Sequence, residues 1–240
     1  MATRARDKRT RASQRRVDRR CDARSVVNVG AGAGSYEPTD RRVVAVEPSA
    51  VMRAQRGPEA APAIDAAAEN LPFADDEFDA AMAVLSDHHW KDQPRGLAEL
   101  RRVARHTVVL FSWDPAHVLD SWLVRDYIPA FARLIPPGYE LEQTAEALGG
   151  DTEIVPVPIP HDCSDGFLHA YWRRPAAYLD PEVRAGISVF ARLEPAEFEP
   201  GLERLKHDLD DGAWQERNTA LLQLDALDLG YRLVIARRSR

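Results

Sequence analysis

Short runs of β-branched residues alternate with amphipathic stretches through the first half of the chain. Ser25–Val29 (SVVNV) leads into glycines and predicts a buried strand followed by a turn. Arg42–Val46 (RVVAV) repeats the pattern and stops at Glu47, and a short helix follows over 49–56. Residues 61–67 read as a weaker third strand and Phe78–Leu85 as a fourth. Pro94–Arg105 is amphipathic: Leu97, Leu100, Val103 and Ala104 share one helical face, and Pro94 suits a first helical turn. Thr107–Ser112 is a fifth strand, closed by Trp113-Asp114-Pro115, where Asp114 is a candidate N-cap.

Strand and helix alternating to residue 112 predict an α/β fold, with a parallel sheet and helices on both faces. Beyond that point the alternation stops. Leu119, Trp122, Leu123, Tyr127, Phe131 and Leu134 recur at helical spacing and predict one long helix over 116–135. Residues 152–160 are extended, and their prolines restrict them to an edge strand or to no strand. Asp180-Pro181-Glu182 opens a helix to about Leu193, a further helical stretch covers roughly 199–227, and Tyr231–Ala236 is a closing strand. The expected division is a tail over 1–24, an α/β core over 25–135, a helical cap or insertion over 136–229, and a closing strand with a basic end over 230–240.

Charge separates the first segment from the rest. Residues 1–24 carry ten Lys/Arg against three Asp, a net +7, so with −6 for the whole chain the remainder holds −13. That segment has no Leu, Ile, Phe, Tyr or Trp, and cannot bury enough apolar surface to offset its ordering entropy. It predicts either a solvated extension or a contact for nucleic acid or an acidic partner; the absence of interleaved aromatics favours the first. Composition is otherwise ordinary, 45% hydrophobic and 29% charged. No apolar run reaches membrane-spanning length and no secretion signal is recognisable, so no membrane partner is expected. Cys21 and Cys163 lie far apart, which fits a reducing cytoplasmic location.

Three clusters carry candidate chemistry. In Asn28-Val29-Gly30-Ala31-Gly32-Ala33-Gly34, alternate glycines after a buried strand let the backbone approach a ligand at the carboxyl end of the sheet. The spacing is not that of a dinucleotide-binding turn, because position 35 is Ser. Glu47, at the end of the second strand, offers an acceptor-only carboxylate for two ribose hydroxyls; the alternative is a carboxylate favouring the helix N-terminus after it. Residues 68–79 (AENLPFADDEFD) form the third cluster.

Together the blocks VVNVGAGAGSYEP, VVAVEPS and AENLPFADDEFDAAMAVL resemble the class I S-adenosylmethionine-dependent methyltransferases. The resemblance is to the small-molecule, type 11-like group that includes ubiquinone-pathway enzymes. GLAELRRVARHTVVLFSWDP is similar to the helix and fifth strand of that group, and 231–236 to its antiparallel final strand. The resemblance implies a doubly wound, Rossmann-like sheet of seven mostly parallel strands, with S-adenosyl-L-methionine as cofactor and a small-molecule methyl acceptor. It implies that Asn28, Gly30, Ala31, Gly32 and Gly34 line the methionine part of the cofactor, and that Glu47 holds the ribose. Pro48, Ala68 and Glu69 would flank the adenine, and Leu85 would offer a backbone carbonyl. Two positions depart from the usual pattern: Asn28 and Ala67 stand where an acidic residue is common.

Methyl transfer needs mainly in-line positioning, with a base if the acceptor is protonated. His88 is the candidate base among Asp87, His88, His89 and Trp90, because it lies near the end of the fourth strand; Trp90 is also a candidate for packing under the next helix. His161, Asp162, Cys163 and His169 lack zinc spacing, so no metal is expected. Tyr171, Trp172 and Arg173 read as core or as the lining of an aromatic pocket. LSDHHW after the fourth strand is not the pattern of base-amine methylation, and a −13 body opposes a nucleic-acid track, so nucleic acid is not an expected partner. The family's helices before the first strand are replaced here by the arginine-rich stretch. That points either to an altered start without its lid or to a genuine tail serving a partner, and the first is expected, with weak cofactor binding. Two other functions stay open: a non-catalytic or N-terminally truncated cofactor-binding domain, and a nucleic-acid-binding or RNA-modifying protein using the basic tail.

Overall fold

The computed structural model describes residues 23–238. The expectation for the basic segment lies almost wholly outside them. At its end, Ala23 is buried and the Arg24 amide donates to Asp79 Oδ2 at 2.8 Å, so these two residues belong with the first strand.

The chain forms two compact units. One takes the described residues up to Asp114, then Gly138–Pro156, then Tyr231 onward; the other is Pro115–Pro137 with Val157–Gly230. This corrects the expected boundaries at 135 and 136. Residues 115–137 leave the α/β unit, and 138–156 join it.

The α/β unit holds a seven-stranded sheet. Its strands are β1 (Ser25–Val29), β2 (Arg42–Val46), β3 (Ala63–Ile64), β4 (Phe78–Val84), β5 (Ala104–Trp113), β6 (Asp151–Pro156) and β9 (Tyr231–Arg237). The order is β3-β2-β1-β4-β5-β9-β6. Every pairing from β3 to β5 is parallel, and β9 alone runs against its neighbours. This is the predicted Rossmann-like architecture. Alternation sorts the strands' side chains. Val27, Val29, Ala81, Ala83, Val108, Leu110, Val234 and Ala236 face one side and form the main core. Helix α2 (Gln93–Val103) adds Leu97, Leu100 and Val103 to that core, and α5 (Leu141–Leu148) adds Leu141 and Leu148.

Local signals explain the edges of these elements. The five-residue helix α1 (Ala50–Ala54) starts at Ser49, whose Oγ accepts from the Met52 amide at 3.3 Å. Helix α2 starts at Asp92, which accepts from the Arg95 amide at 3.1 Å, with Pro94 in the first turn. Of the two outcomes the prolines allow over 152–160, an edge strand or none, β6 takes the first as far as Pro156, at the edge of the sheet.

In the second unit the predicted long helix over 116–135 is broken. It becomes α3 (Pro115–Asp120), α4 (Trp122–Asp126) and a 3-10 turn over Pro129–Leu134. Ser121 causes the first break: its Oγ donates to the Val118 carbonyl at 2.8 Å and accepts from the Val124 amide at 3.4 Å, which caps a new helix. Pro129, which lacks an amide proton, starts the second. The helix expected up to Leu193 is only α6 (Pro181–Ala185), stopped at Gly186. The stretch over 199–227 resolves into α7 (Pro195–Asp210), α8 (Ala213–Arg217), a 3-10 turn and β8 (Ala226–Leu227), which pairs with β7 (Ile159–Pro160).

Aromatics fill this unit's core. Trp122 and Trp214 pack edge to face at 5.1 Å, and Trp122 Nε1 donates to the Trp172 carbonyl at 3.0 Å. Trp172 is buried and its own Nε1 donates to the Ile159 carbonyl at 3.0 Å, which makes it core.

Candidate functional site

The bend after β1 is built from three left-handed glycines, with φ +68° at Gly30, +52° at Gly32 and +86° at Gly34. The Gly30 and Ala31 amides both donate to the Val46 carbonyl, at 2.9 and 3.0 Å, which fastens the bend to the end of β2. Glu47, the next residue along, is 7% exposed. Its Oε2 accepts from the Gly32 amide at 2.8 Å and its Oε1 from the Ser49 amide at 2.8 Å. The bend and the carboxylate therefore meet at one place. A carboxylate offers about four acceptor positions, so each oxygen keeps capacity for a ligand hydroxyl. The competing helix-terminus role is present too, through Ser49.

The carbonyl side of the bend is held by a residue the sequence did not single out. Arg56 Nη1 donates to the Gly32 carbonyl at 2.7 Å, and its Nε to Ala61 at 3.0 Å. Its Nη2 pairs with Glu37, and both side chains are buried. Glu37 Oε2 in turn accepts from the Ala61 amide at 2.8 Å. No local pattern joins positions 37 and 56, and only the fold brings them together.

Asn28 is buried in β1, and its Oδ1 has no hydrogen-bond partner. On the neighbouring strand, Leu85 follows β4 at φ +49°, a strained conformation for a branched side chain; its amide donates to the Phe111 carbonyl at 2.7 Å. Ser86 then donates to the Val29 carbonyl at 3.0 Å and packs under Gly30. A Cβ at residue 30 would lie 2.5 Å from Ser86 Cβ. Trp90 packs on Gly96 of α2, where a Cβ would lie 2.4 Å from its ring, so the reading as a packing residue holds.

Other predicted residues are more peripheral. Pro48 is exposed, Ala31 is buried in the bend, and Ala68 is buried in the main core. Glu69 Oε1 accepts from the Lys91 and Asp92 amides, at 2.7 and 3.1 Å, which gives it a local task.

A polar cluster lies just past β4. Asp87 is 1% exposed. Its Oδ1 accepts from Ser112 at 2.9 Å, and its Oδ2 from Tyr139 at 2.8 Å and Gln93 at 3.2 Å. Ser112 and Tyr139 also touch each other. Burial pushes the Asp87 carboxyl up, but His88 alongside, with the Tyr139 and Ser112 hydroxyls, outweighs it and holds the group below the usual carboxylate range. Burial, then the Asp87 charge, pushes the Tyr139 phenol well above its ordinary value. His88 Nδ1 accepts from Trp113 Nε1 at 3.3 Å and lies 3.9 Å from Asp87 Oδ1. Ser112, Gln93 and Tyr139 gave no sign of this role in the sequence.

Among the described residues, no three of His, Cys, Asp and Glu converge to hold a metal ion. His169 instead bonds Ser121 at 2.8 Å, and burial lowers its pKa to about 3.

Sheet order, glycine bend and strand-end carboxylate define a class I S-adenosylmethionine-dependent methyltransferase. The comparisons agree, and the chain belongs to that family. Residues 27–111 match the family described as methyltransferase domain. A solved structure from Anabaena variabilis, described as a methyltransferase of an antibiotic biosynthesis pathway, is 32% identical, covering 95% of this chain and 96% of that one, with a TM-score of 0.86. YcgJ from Bacillus subtilis shares the fold at 17% identity, covering 96% and 99%, with a TM-score of 0.57. An uncharacterised protein of Escherichia coli, YafE, is 40% identical over 60 residues, 23% of this chain. The match spans only 29% of that relative's length. No helix among the described residues is long and apolar enough to cross a membrane.

Proposed function

We propose that this protein transfers the methyl group of S-adenosylmethionine to a small organic acceptor, with the cofactor held between the glycine bend and Glu47. The observation that carries the reading is the meeting of Glu47 with the Gly32 amide at 2.8 Å. The residues present suit the cofactor. Glu47 keeps acceptor capacity for ribose hydroxyls. The orphaned Asn28 Oδ1 offers an acceptor for an ammonium group, since buried polar atoms are rarely left unpaired. Gly32 leaves open space, with only the Met52 methyl within reach of a Cβ there, at 3.4 Å. The Gly30 amide is already used by the Val46 carbonyl, and the strained Leu85 is the residue whose backbone carbonyl this reading assigns to the ligand.

When bound, the cofactor supplies an electrophilic methyl. The chain's task is to hold the acceptor in line, and such positioning can supply ~7–11 kcal/mol. A small acceptor from a biosynthetic pathway is supported by the Anabaena relative, which is similar over nearly its whole length. A cytoplasmic location is part of the same reading, resting on the two distant cysteines.

Titration with S-adenosylhomocysteine, followed by thermal denaturation, tests the reading. A ligand binding only the native state adds about 2.7 kcal/mol of stability at a hundredfold excess over its Kd. We expect that rise in the native protein and its loss in Glu47→Ala. No rise in the native protein would refute the cofactor assignment; an undiminished rise in Glu47→Ala would refute the ribose role.

A further inference from the structure

We propose that Trp113 and Asp87 are positioning residues that set the tautomer of His88, and so decide whether this ring donates or accepts a proton at the carboxyl ends of β4 and β5. The two neighbours of Nδ1 have opposite character. An indole N–H only donates, and a carboxylate only accepts. Trp113 Nε1 is at 3.3 Å, within hydrogen-bond reach, whereas Asp87 Oδ1 at 3.9 Å is not. Nδ1 therefore holds its lone pair toward Trp113, and the ring proton sits on Nε2. In that state Nε2 can donate but cannot take a proton.

The alternative state is close by. A shift of the ring by less than about 1 Å toward Asp87 brings Nδ1–H within ordinary hydrogen-bond distance of Oδ1. The lone pair then moves to Nε2, which becomes a base. Asp87 cannot easily move to meet the ring, because Ser112, Tyr139 and Gln93 hold its two oxygens. The Trp113 ring is braced in turn by Tyr139, at 5.2 Å between centroids. His89 also packs against His88, with ring centroids 4.0 Å apart.

Conversion between the two states is proton-neutral: Nε2 releases a proton to water and Nδ1 takes one. On the methyl-transfer reading, on which this consequence rests, the acceptor's proton passes to Nε2 as the acceptor loses it. The imidazolium then donates from Nδ1 to Asp87, and the proton later returns to water. The buried carboxylate thus has a task that the packing of the strand ends does not require.

Two-bond proton–nitrogen correlation spectra of uniformly nitrogen-15-labelled protein, above the titration range of imidazole, read the tautomer directly. The native protein should show a bare Nδ1 and a protonated Nε2. Trp113→Phe keeps a ring but removes the donor, and should move the tautomer ratio about tenfold toward Nδ1–H, the equilibrium equivalent of one hydrogen bond. An unchanged ratio in that variant, or an Nδ1–H signal in the native protein, would overturn the proposal. If Trp113→Phe fails to fold, the native protein suffices: a bare Nδ1 beside a protonated Nε2 supports the assignment, and a proton on Nδ1 overturns it. These signals do not depend on the cofactor, so failure to bind S-adenosylhomocysteine would strike the methyl-transfer reading and leave the tautomer assignment standing.

Discussion

At Gly30 and Gly32 the backbone is left-handed in both places, so any side chain is strained there by roughly 1–3 kcal/mol. Their surroundings differ. A Cβ at 30 collides with Ser86, while one at 32 meets only the flexible end of Met52. We expect Gly30→Ala to destabilise the apo protein more than Gly32→Ala, by a further 1 kcal/mol or more, roughly the cost of overpacking. Gly32→Ala should instead lose cofactor affinity out of proportion to its stability loss. Urea denaturation and S-adenosylhomocysteine titration of both variants give the two orderings, and equal stability losses would contradict the packing argument. The glycines and Glu47 were legible because they follow one another along a bend and a strand end. Arg56 and Glu37 were not, since a buried pair 19 positions apart leaves no periodic trace.

At the scale of elements, β1, β2, β4, β5 and β9 were legible from apolar runs and their turn residues, which are local signals; β3 was weaker, and for β6 the prolines left open an edge strand or none. In the second unit the capped start at Asp180-Pro181 and a helical stretch after 199 were legible, but the ends and breaks of the helices were not. Helical spacing of apolar residues persists across Ser121 and Pro129 even though the helix does not, since hydrophobic period reports burial and punctuation reports continuity. Gly201, inside α7, shows how a contact can reverse a propensity argument. Helix propensity predicts that Gly→Ala there stabilises by about 1 kcal/mol. Yet a Cβ at 201 would lie 1.6 Å from the Tyr127 carbonyl oxygen, so the helix would have to be displaced from the 126–128 segment. We expect Gly201→Ala to destabilise by roughly 1–3 kcal/mol. A stabilised variant in chemical denaturation would show that α7 is free to shift.

For the whole molecule, acid should weaken the fold before any carboxylate titrates. His169 is fully buried, and its pKa falls from the usual 6.5 to about 3. Folded protein therefore refuses a proton that the unfolded chain accepts. Above pH 6.5 both states hold a neutral ring and the term is fully favourable. Below it, stability drops by about 1.4 kcal/mol per pH unit until the folded ring titrates near 3. Asp87 acts with the same sign further down, because its folded carboxyl lies below the unfolded one and the unfolded chain again binds the proton first. Between pH 8 and pH 5 only the histidine term is large, so it should remove about 2 kcal/mol. His169→Gln keeps a polar partner for Ser121 but does not ionise. Its stability at pH 8 should be lower than that of the native protein, and its loss between pH 8 and pH 5 should be smaller by about that amount. Equal losses in the two proteins would mean that the ring reaches water, and that the Ser121–His169 contact is not sealed in the second unit's core.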